Sequence, residues 1–269
     1  MIYKPHFLIK IVVKKIKEIS EEEFIRRILN NERDLTGIHI KARSPLYKKE
    51  NYNAFRDYLS GHQEDFRENP IRLSGSIIEG ISGSNLCLPY LEARESTLRY
   101  CSIDNSSFQN SNFERSAFFS CSYYKCNFRG SNFERAHAFF PFYLLECDCE
   151  GSNFYKFESY RGCFSKSKFI RSNLTDSSFR NCDMQLIDFL EAIVFNTNLV
   201  EADLENIQNL KTSKGLETVN FYEVKAVGNT KKLIERIEKE REKKERKKSE
   251  ERARRESEER KTLWNKTRF

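Results

Sequence analysis

Eight cysteines and four histidines are the residues of this 269-residue chain best suited to metal, redox or nucleophilic chemistry. Their spacing supports none of these. Cys147-x-Cys149 has no second ligand pair at zinc spacing. The histidines are His6, His39, His62 and His137, and only His137 falls between Ser84 and Asn209. Gly80-x-x-Gly83 lacks the strand–turn–helix setting of a phosphate loop and reads instead as a pair of residues relaxing tight corners. No catalytic residue, metal ligand or cofactor site is expected, and the chain is not expected to be an enzyme.

The elements that position the cysteines explain them better. From Leu98 an apolar residue recurs every fifth position: Leu98, Ile103, Phe108, Phe113, Phe118, Tyr123, Phe128 and Phe133, then a small Ala138. The register slips by one residue and resumes with Leu144, Cys149, Phe154, Ser159, Phe164, Phe169, Leu174, Phe179, Met184, Phe189, Val194, Leu199 and Leu204. Two places before each stands a small residue, with Phe142, Phe157 and Ile187 as exceptions. Cys101, Cys121, Cys126, Cys147 and Cys182 occupy that small position, where reduced Cys serves as a small hydrophobe.

A period of five fits neither a helix nor a strand. Sustained this long, it marks a solenoid in which each unit turns one corner. Ser-Asn-Phe at Ser111, Ser131 and Ser152, followed by Ser172-Asn173-Leu174, recurs at intervals of 20, 21 and 20. Four units per turn place these residues above one another at a spacing of ~4.8 Å, with stacked Asn ladders and phenyl columns. Phe113, Phe133 and Phe154 are expected to share one buried column. Leu86 and Leu91 carry the same spacing, and two extra residues before Leu98 predict a bulged corner.

The units resemble those of the pentapeptide-repeat family, whose motif is Ala-Asp/Asn-Leu followed by two variable residues. Ala202-Asp203-Leu204-Glu205-Asn206 matches fully, and most other units carry Ser or Cys for Ala and Phe for Leu. The resemblance covers a little under half of the chain. It implies a mainly β solenoid, a right-handed quadrilateral β-helix. It also implies a non-catalytic protein-binding role, with a topoisomerase-binding DNA mimic of the fluoroquinolone-resistance type as the alternative.

Around the solenoid, residues 1–40 read as an N-terminal strand–helix cap, with a strand at Phe7–Val13 and a second at Leu35–Ile40. Between them, Ser20-x-x-Glu23 is a capping box opening a helix that ends near Asn31. Residues 41–70 read as a polar loop or insertion with a short helix near Asn53–Tyr58. The β-helix is assigned to 71–228 and a charged helical tail to 229–269.

The chain carries a net charge of +7. Residues 84–210 hold 12 Lys and Arg against 16 Asp and Glu, whereas residues 229–269 hold 17 against 10. The tail is dense in i,i+4 pairs with Glu first, such as Glu235–Lys239 and Glu242–Arg246, which support a continuous helix without an apolar seam. Leu233, Ile234 and Ile237 are placed to dock its first turns on the last coil. Another protein is the expected partner, with nucleic acid as a second possibility through residues 229–269. Candidate partner contacts are Phe139, Phe140 and Pro141, pushed into a bulge by the slip, and Trp264 near the end. No apolar run approaches the ~20 residues needed to span a bilayer. The N-terminus lacks a signal-peptide cleavage site, and a cytoplasmic protein is expected.

Overall fold

The computed structural model describes residues 16–266, with side chains described to residue 260. The strand expected at Phe7–Val13 lies outside the described residues.

Each five-residue unit buries two side chains and exposes three. Ser111 with Phe113, Cys126 with Phe128 and Ala202 with Leu204 are such buried pairs. The left-handed region is visited at every fifth residue, as at Asn105, Asn110, Arg115 and Ser120. In units such as Phe108–Ser111 that residue is the third of a β-turn closed by a bond from the Ser111 amide to the Phe108 carbonyl at 3.2 Å. The chain therefore bends at each corner and closes a four-sided coil. Successive coils pair in parallel along all four sides. One side is an eight-stranded sheet of Glu18–Ser20, His39–Lys41, Ile77–Glu79, Thr97–Arg99, Ala117–Phe119, His137–Phe139, Glu158–Tyr160 and Ser178–Arg180. The next is a four-stranded sheet of Ser82–Ser84, Ser102–Asp104, Ser122–Tyr124 and Tyr143–Leu145. The other two are ladders of single bridges, one running Arg72, Glu92, Asn112, Asn132, Asn153, Asn173, Ile193 and Lys214, the other Cys87, Ser107, Asn127, Asp148, Lys168, Asp188 and Gln208.

The core is a set of side-chain columns. Phe113, Phe133 and Phe154 stack with centroids 5.2 and 4.8 Å apart and planes within 15° and 8° of parallel. Phe108 and Phe128 stack likewise at 5.1 Å. Phe118, Phe164, Phe169, Leu174, Phe179, Phe189, Leu199 and Leu204 are all buried. Where the central residue is small, as at Ala138 and Ser159, the preceding inward position is large or the next one is: Phe157 and Phe142 are both fully buried and fill that space. The small position has a further reason to be Ser or Cys. Ser131 Oγ donates to the Phe108 carbonyl of the coil before at 2.6 Å, and Cys126 Sγ reaches the Ile103 carbonyl in the same way at 3.3 Å.

Three expectations are corrected. The bulged corner before Leu98 does not exist. Leu73, Ile78, Leu88, Ala93 and Leu98 are central residues of an unbroken register, and Leu86 and Leu91 occupy the position two before it, Leu91 beside small Ala93 and Leu86 packed over Gly83. Of the two readings of residues 41–70, the structure has the insertion and not the loop, and the helix expected near Asn53–Tyr58 is present and longer. The segment forms helix α2 (Tyr52–Gly61) and α3 (Asp65–Glu68), and buries Leu46, Tyr52, Phe55, Leu59 and Phe66. The coil also begins before residue 71: His39–Lys41 pairs with Ile77–Glu79, and Glu18–Ser20 pairs with His39–Lys41.

The N-terminal helix α1 (Glu21–Leu29) has the cap its sequence specifies, with the Glu23 amide donating to Ser20 Oγ at 3.2 Å. Its buried Glu21 ties it to the segment before α2. One carboxylate oxygen accepts from the amides of Arg43 and Ser44 at 3.2 and 3.1 Å and lies 2.6 Å from Lys49 Nζ. In turn α2 is pinned to the coil by Tyr52, whose hydroxyl donates to the Ser84 carbonyl at 2.6 Å and accepts from the Ser84 amide at 2.8 Å. The C-terminal helix α4 spans Gly228–Lys266. Ile234 and Ile237 are buried against the last coil, and Arg241 Nη2 donates to the Leu216 and Val219 carbonyls at 2.9 and 2.6 Å.

Candidate binding surfaces

One side of the coil gathers several of its exposed aromatic residues, while Leu186 and Phe195 are exposed elsewhere on it. On the eight-stranded sheet the outward position just past each central residue is Arg99, Phe119, Phe139, Tyr160 and Arg180 in successive coils. Phe119 and Phe139 stack face to face at 4.5 Å and 4°. Arg99 sits over Phe119 at 5.8 Å. The adjoining corner carries Tyr100 and Phe140, and Arg161 sits 5.5 Å from the Phe140 ring. Phe139 is 46% exposed and Phe140 56%, beside exposed Tyr100, Tyr160 and Tyr143. The slip is the cause of part of this. Every neighbouring coil turns here on one left-handed residue (Tyr100, Ser120, Arg161, Asn181), whereas this coil holds Phe140 and Pro141, joined by a cis peptide bond. The bulge is thus Phe140–Pro141 alone, and Phe139 belongs to the regular strand.

A second side is polar and neutralised. The Asn112, Asn132, Asn153 and Asn173 amides form a ladder: Asn132, Asn153 and Asn173 each donate from Nδ2 to the Oδ1 one coil earlier at 3.1–3.3 Å, and Asn112 Nδ2 donates to Glu92 Oε2 at 3.3 Å. Each Oδ1 also accepts the amide two residues on, as from Glu134 to Asn132 at 3.0 Å. Arg94, Arg115, Arg129 and Arg135 around it pair with Glu114, Glu95, Glu150 and Glu134.

The third surface is α4 beyond the docked turns. Residues 242–260 are almost wholly exposed. The ion pairs seen along it are Arg246–Glu250, Arg252–Glu256 and Arg254–Glu258 at 3.0–3.1 Å. They run Arg first, the reverse of the Glu-first pairs read from the sequence, because each of these Arg side chains reaches toward the following turn. Trp264 lies in α4 beyond the residues whose side chains are described.

Chemistry finds little footing. Every cysteine is unpaired. Burial pushes the Cys182 thiol up to about 12 and those of Cys147 and Cys149 well above the ordinary range. These thiols stay protonated and are poor nucleophiles or ligands. Among the described residues no cluster of His, Cys, Asp and Glu could hold a metal ion, and no helix is long and apolar enough to cross a membrane.

A family model for pentapeptide repeats matches residues 172–207 in eight copies. Residues 172–207 are thus pentapeptide repeats, and the left-handed corner at every fifth residue continues on the N-terminal side of them. No curated protein matches the chain. Among solved structures, a trypsin-treated form of QnrB1, a plasmid-mediated fluoroquinolone resistance protein, is 14% identical, with 61% of this chain and 86% of that chain covered and a TM-score of 0.45. HetL, a pentapeptide repeat protein involved in heterocyst differentiation regulation in the cyanobacterium Nostoc sp. strain PCC 7120, is 11% identical, covering 78% and 97% at a TM-score of 0.27. The pentapeptide repeat protein Rfr23 of the cyanobacterium Cyanothece 51142 is 14% identical, covering 58% and 98% at a TM-score of 0.18. In this coil the aromatic side was legible in the sequence only through the slip. The stripe itself would have shown in the outward column, where Phe119 and Phe139 stand 20 residues apart.

Proposed function

We propose that this protein is a non-catalytic scaffold that binds another protein through the side of its coil. The observation that carries this reading is the cluster of exposed rings on one side of the coil, Phe139 and Phe140 with Tyr100 and Tyr160 beside them. Such rings are costly to leave in water, and a rigid sheet holds them with little ordering cost on association. The proposed contact set comprises Phe139, Phe140 and Pro141, with Trp264 as a second, separate anchor. Eight unpaired thiols fit a reducing compartment such as the cytoplasm. A duplex-mimicking role fits less well, since the side with the exposed Phe139 and Phe140 rings carries Arg99, Arg161 and Arg180 alongside its carboxylates rather than an acidic stripe.

Photocross-linking in cells from a position beside the two rings tests the reading. With the photocross-linker carried at the neighbouring exposed position 160 rather than on the rings themselves, a discrete adduct with one protein, lost on Phe139→Ser/Phe140→Ser and kept in a chain lacking residues 242–269, supports it. Adducts unchanged by the double substitution overturn it.

A further inference from the structure

The arginines of residues 84–210 fall into two sets. On the asparagine-ladder side and the side beside it, Arg94, Arg115, Arg129, Arg135 and Arg171 each meet a glutamate. Around the aromatic stripe, Arg99, Arg161 and Arg180 are exposed and meet no carboxylate among the described residues; Arg99 and Arg161 rest on phenyl rings instead. A coil segment that is net acidic thus carries its unneutralised guanidinium groups on one side, bracketing its exposed rings.

The ring geometry narrows the choice of partner. Phe119 and Phe139 use one face each on the other, at 4.5 Å. Arg99 covers the outer face of Phe119, and Arg161 lies over Phe140. The stripe therefore offers the outside mainly ring edges, which are the electropositive rim of the aromatic quadrupole. Nucleobase stacking needs open ring faces. A carboxylate is drawn both to ring edges and to a guanidinium fork, which it can meet in bidentate fashion.

We propose that this side docks an extended acidic segment of a partner protein, with carboxylates toward Arg99 and Arg180 and apolar side chains between them on Phe139, Phe140 and Tyr160. This rests on the scaffold reading above and gives its partner a chemistry. Arg99 and Arg180 lie four coil steps apart along the stripe, roughly 19 Å at the strand spacing. At ~3.3 Å per extended residue that distance takes about six residues. The motif that fits is an acid, a short apolar run, and a second acid.

The test uses the full-length protein and three fluorescein-labelled peptides with the same Leu-Phe-Leu centre, flanked by Glu, Gln or Lys pairs, read by fluorescence anisotropy. The Glu peptide should bind about tenfold more tightly than the Gln peptide, with the Lys peptide weakest, and should weaken as salt rises. Arg99→Gln/Arg180→Gln should bring its affinity down to that of the Gln peptide, and Phe139→Ser/Phe140→Ser should weaken both. Arg115→Gln, on the ladder side, should change neither. If Gln and Glu peptides bind equally and both need Phe139 and Phe140, the acidic partner is wrong while the scaffold reading stands. If binding ignores the aromatic substitutions, both fall. A short oligothymidine strand that competes for the same rings, where the Glu peptide does not, would replace the proposal with single-stranded nucleic acid. Unchanged melting curves for each variant exclude misfolding as the cause.

Discussion

Phe133 is the residue on which the packing argument can be tested most directly. Its ring is 1% exposed and lies in the middle of a column, 5.2 Å from Phe113 and 4.8 Å from Phe154, with Phe128 edge-on at 5.4 Å. Phe133→Ala removes a ring that buries on the order of 150 Å², worth about 4 kcal/mol at ~25 cal/mol per Å². The cavity cannot close easily. The Phe133 amide is held to the Asn153 carbonyl at 2.7 Å and the Asn132 amide to the Ser111 carbonyl at 2.9 Å, so the coils above and below keep their spacing. We therefore expect a loss of ~3–5 kcal/mol. For a folded unit of this size, that lowers Tm by roughly 8–16 °C. Thermal denaturation followed by circular dichroism checks it. Phe139→Ala, on the exposed side, is the control and should stay within ~0.5 kcal/mol of the parent. A Phe133→Ala protein melting within a degree or two of the parent would refute the column, as would equal damage from the two substitutions.

Other expectations follow from individual contacts. Burial alone would raise the Glu21 carboxyl, but Lys49 and the amides of Glu21 and Arg43 outweigh it and hold its pKa at about 2. The folded value lies below the unfolded one, so its stabilisation is complete above pH ~4.5 and is lost as the pH falls toward 2, by up to about 3 kcal/mol. Denaturant titrations at neutral pH and near pH 3 should show the parent losing more stability than Glu21→Gln. Replacing Asn132 with Ala breaks two ladder bonds and the cap on the Glu134 amide, and should cost ~1–3 kcal/mol in urea titration. Ile237→Asp should release α4 from the last coil, seen as rapid amide exchange at Ile234–Arg241, while a protected α4 in that variant would show that the apolar contact does not hold it.

The coil was legible because its inward positions repeat without needing any long-range knowledge. Phe113, Phe133 and Phe154 follow from spacing alone. What escaped was the start of the coil. His39–Lys41 and Ile77–Glu79 are neighbours in the sheet, but α2 and α3 stand between them in sequence, so no run of fives could build up. The corners carried a signal that went unread: Gly75, Gly80, Asn85, Asn105, Asn110, Gly130, Gly151 and Asn181 are residue types that tolerate positive φ, and all of them adopt it. The arginine pattern was not legible. Arg129 and Glu150 meet because they lie in successive coils and their side chains extend toward each other, and Arg99 differs from Arg94 only in which side of the square it faces.

The docking of α4 also bears on what the molecule avoids. A parallel coil ends in a rung of open backbone groups, and such a rung is a template on which another chain could add in register. Here Ile234 and Ile237 cover the apolar floor of the last rung, and Arg241 takes up two of its carbonyls. Together they act as a terminator against polymerisation at this end. Cutting the chain ahead of α4 would turn that rung into a growing tip, so the truncated protein should seed linear fibres at concentrations where the full-length chain stays dispersed.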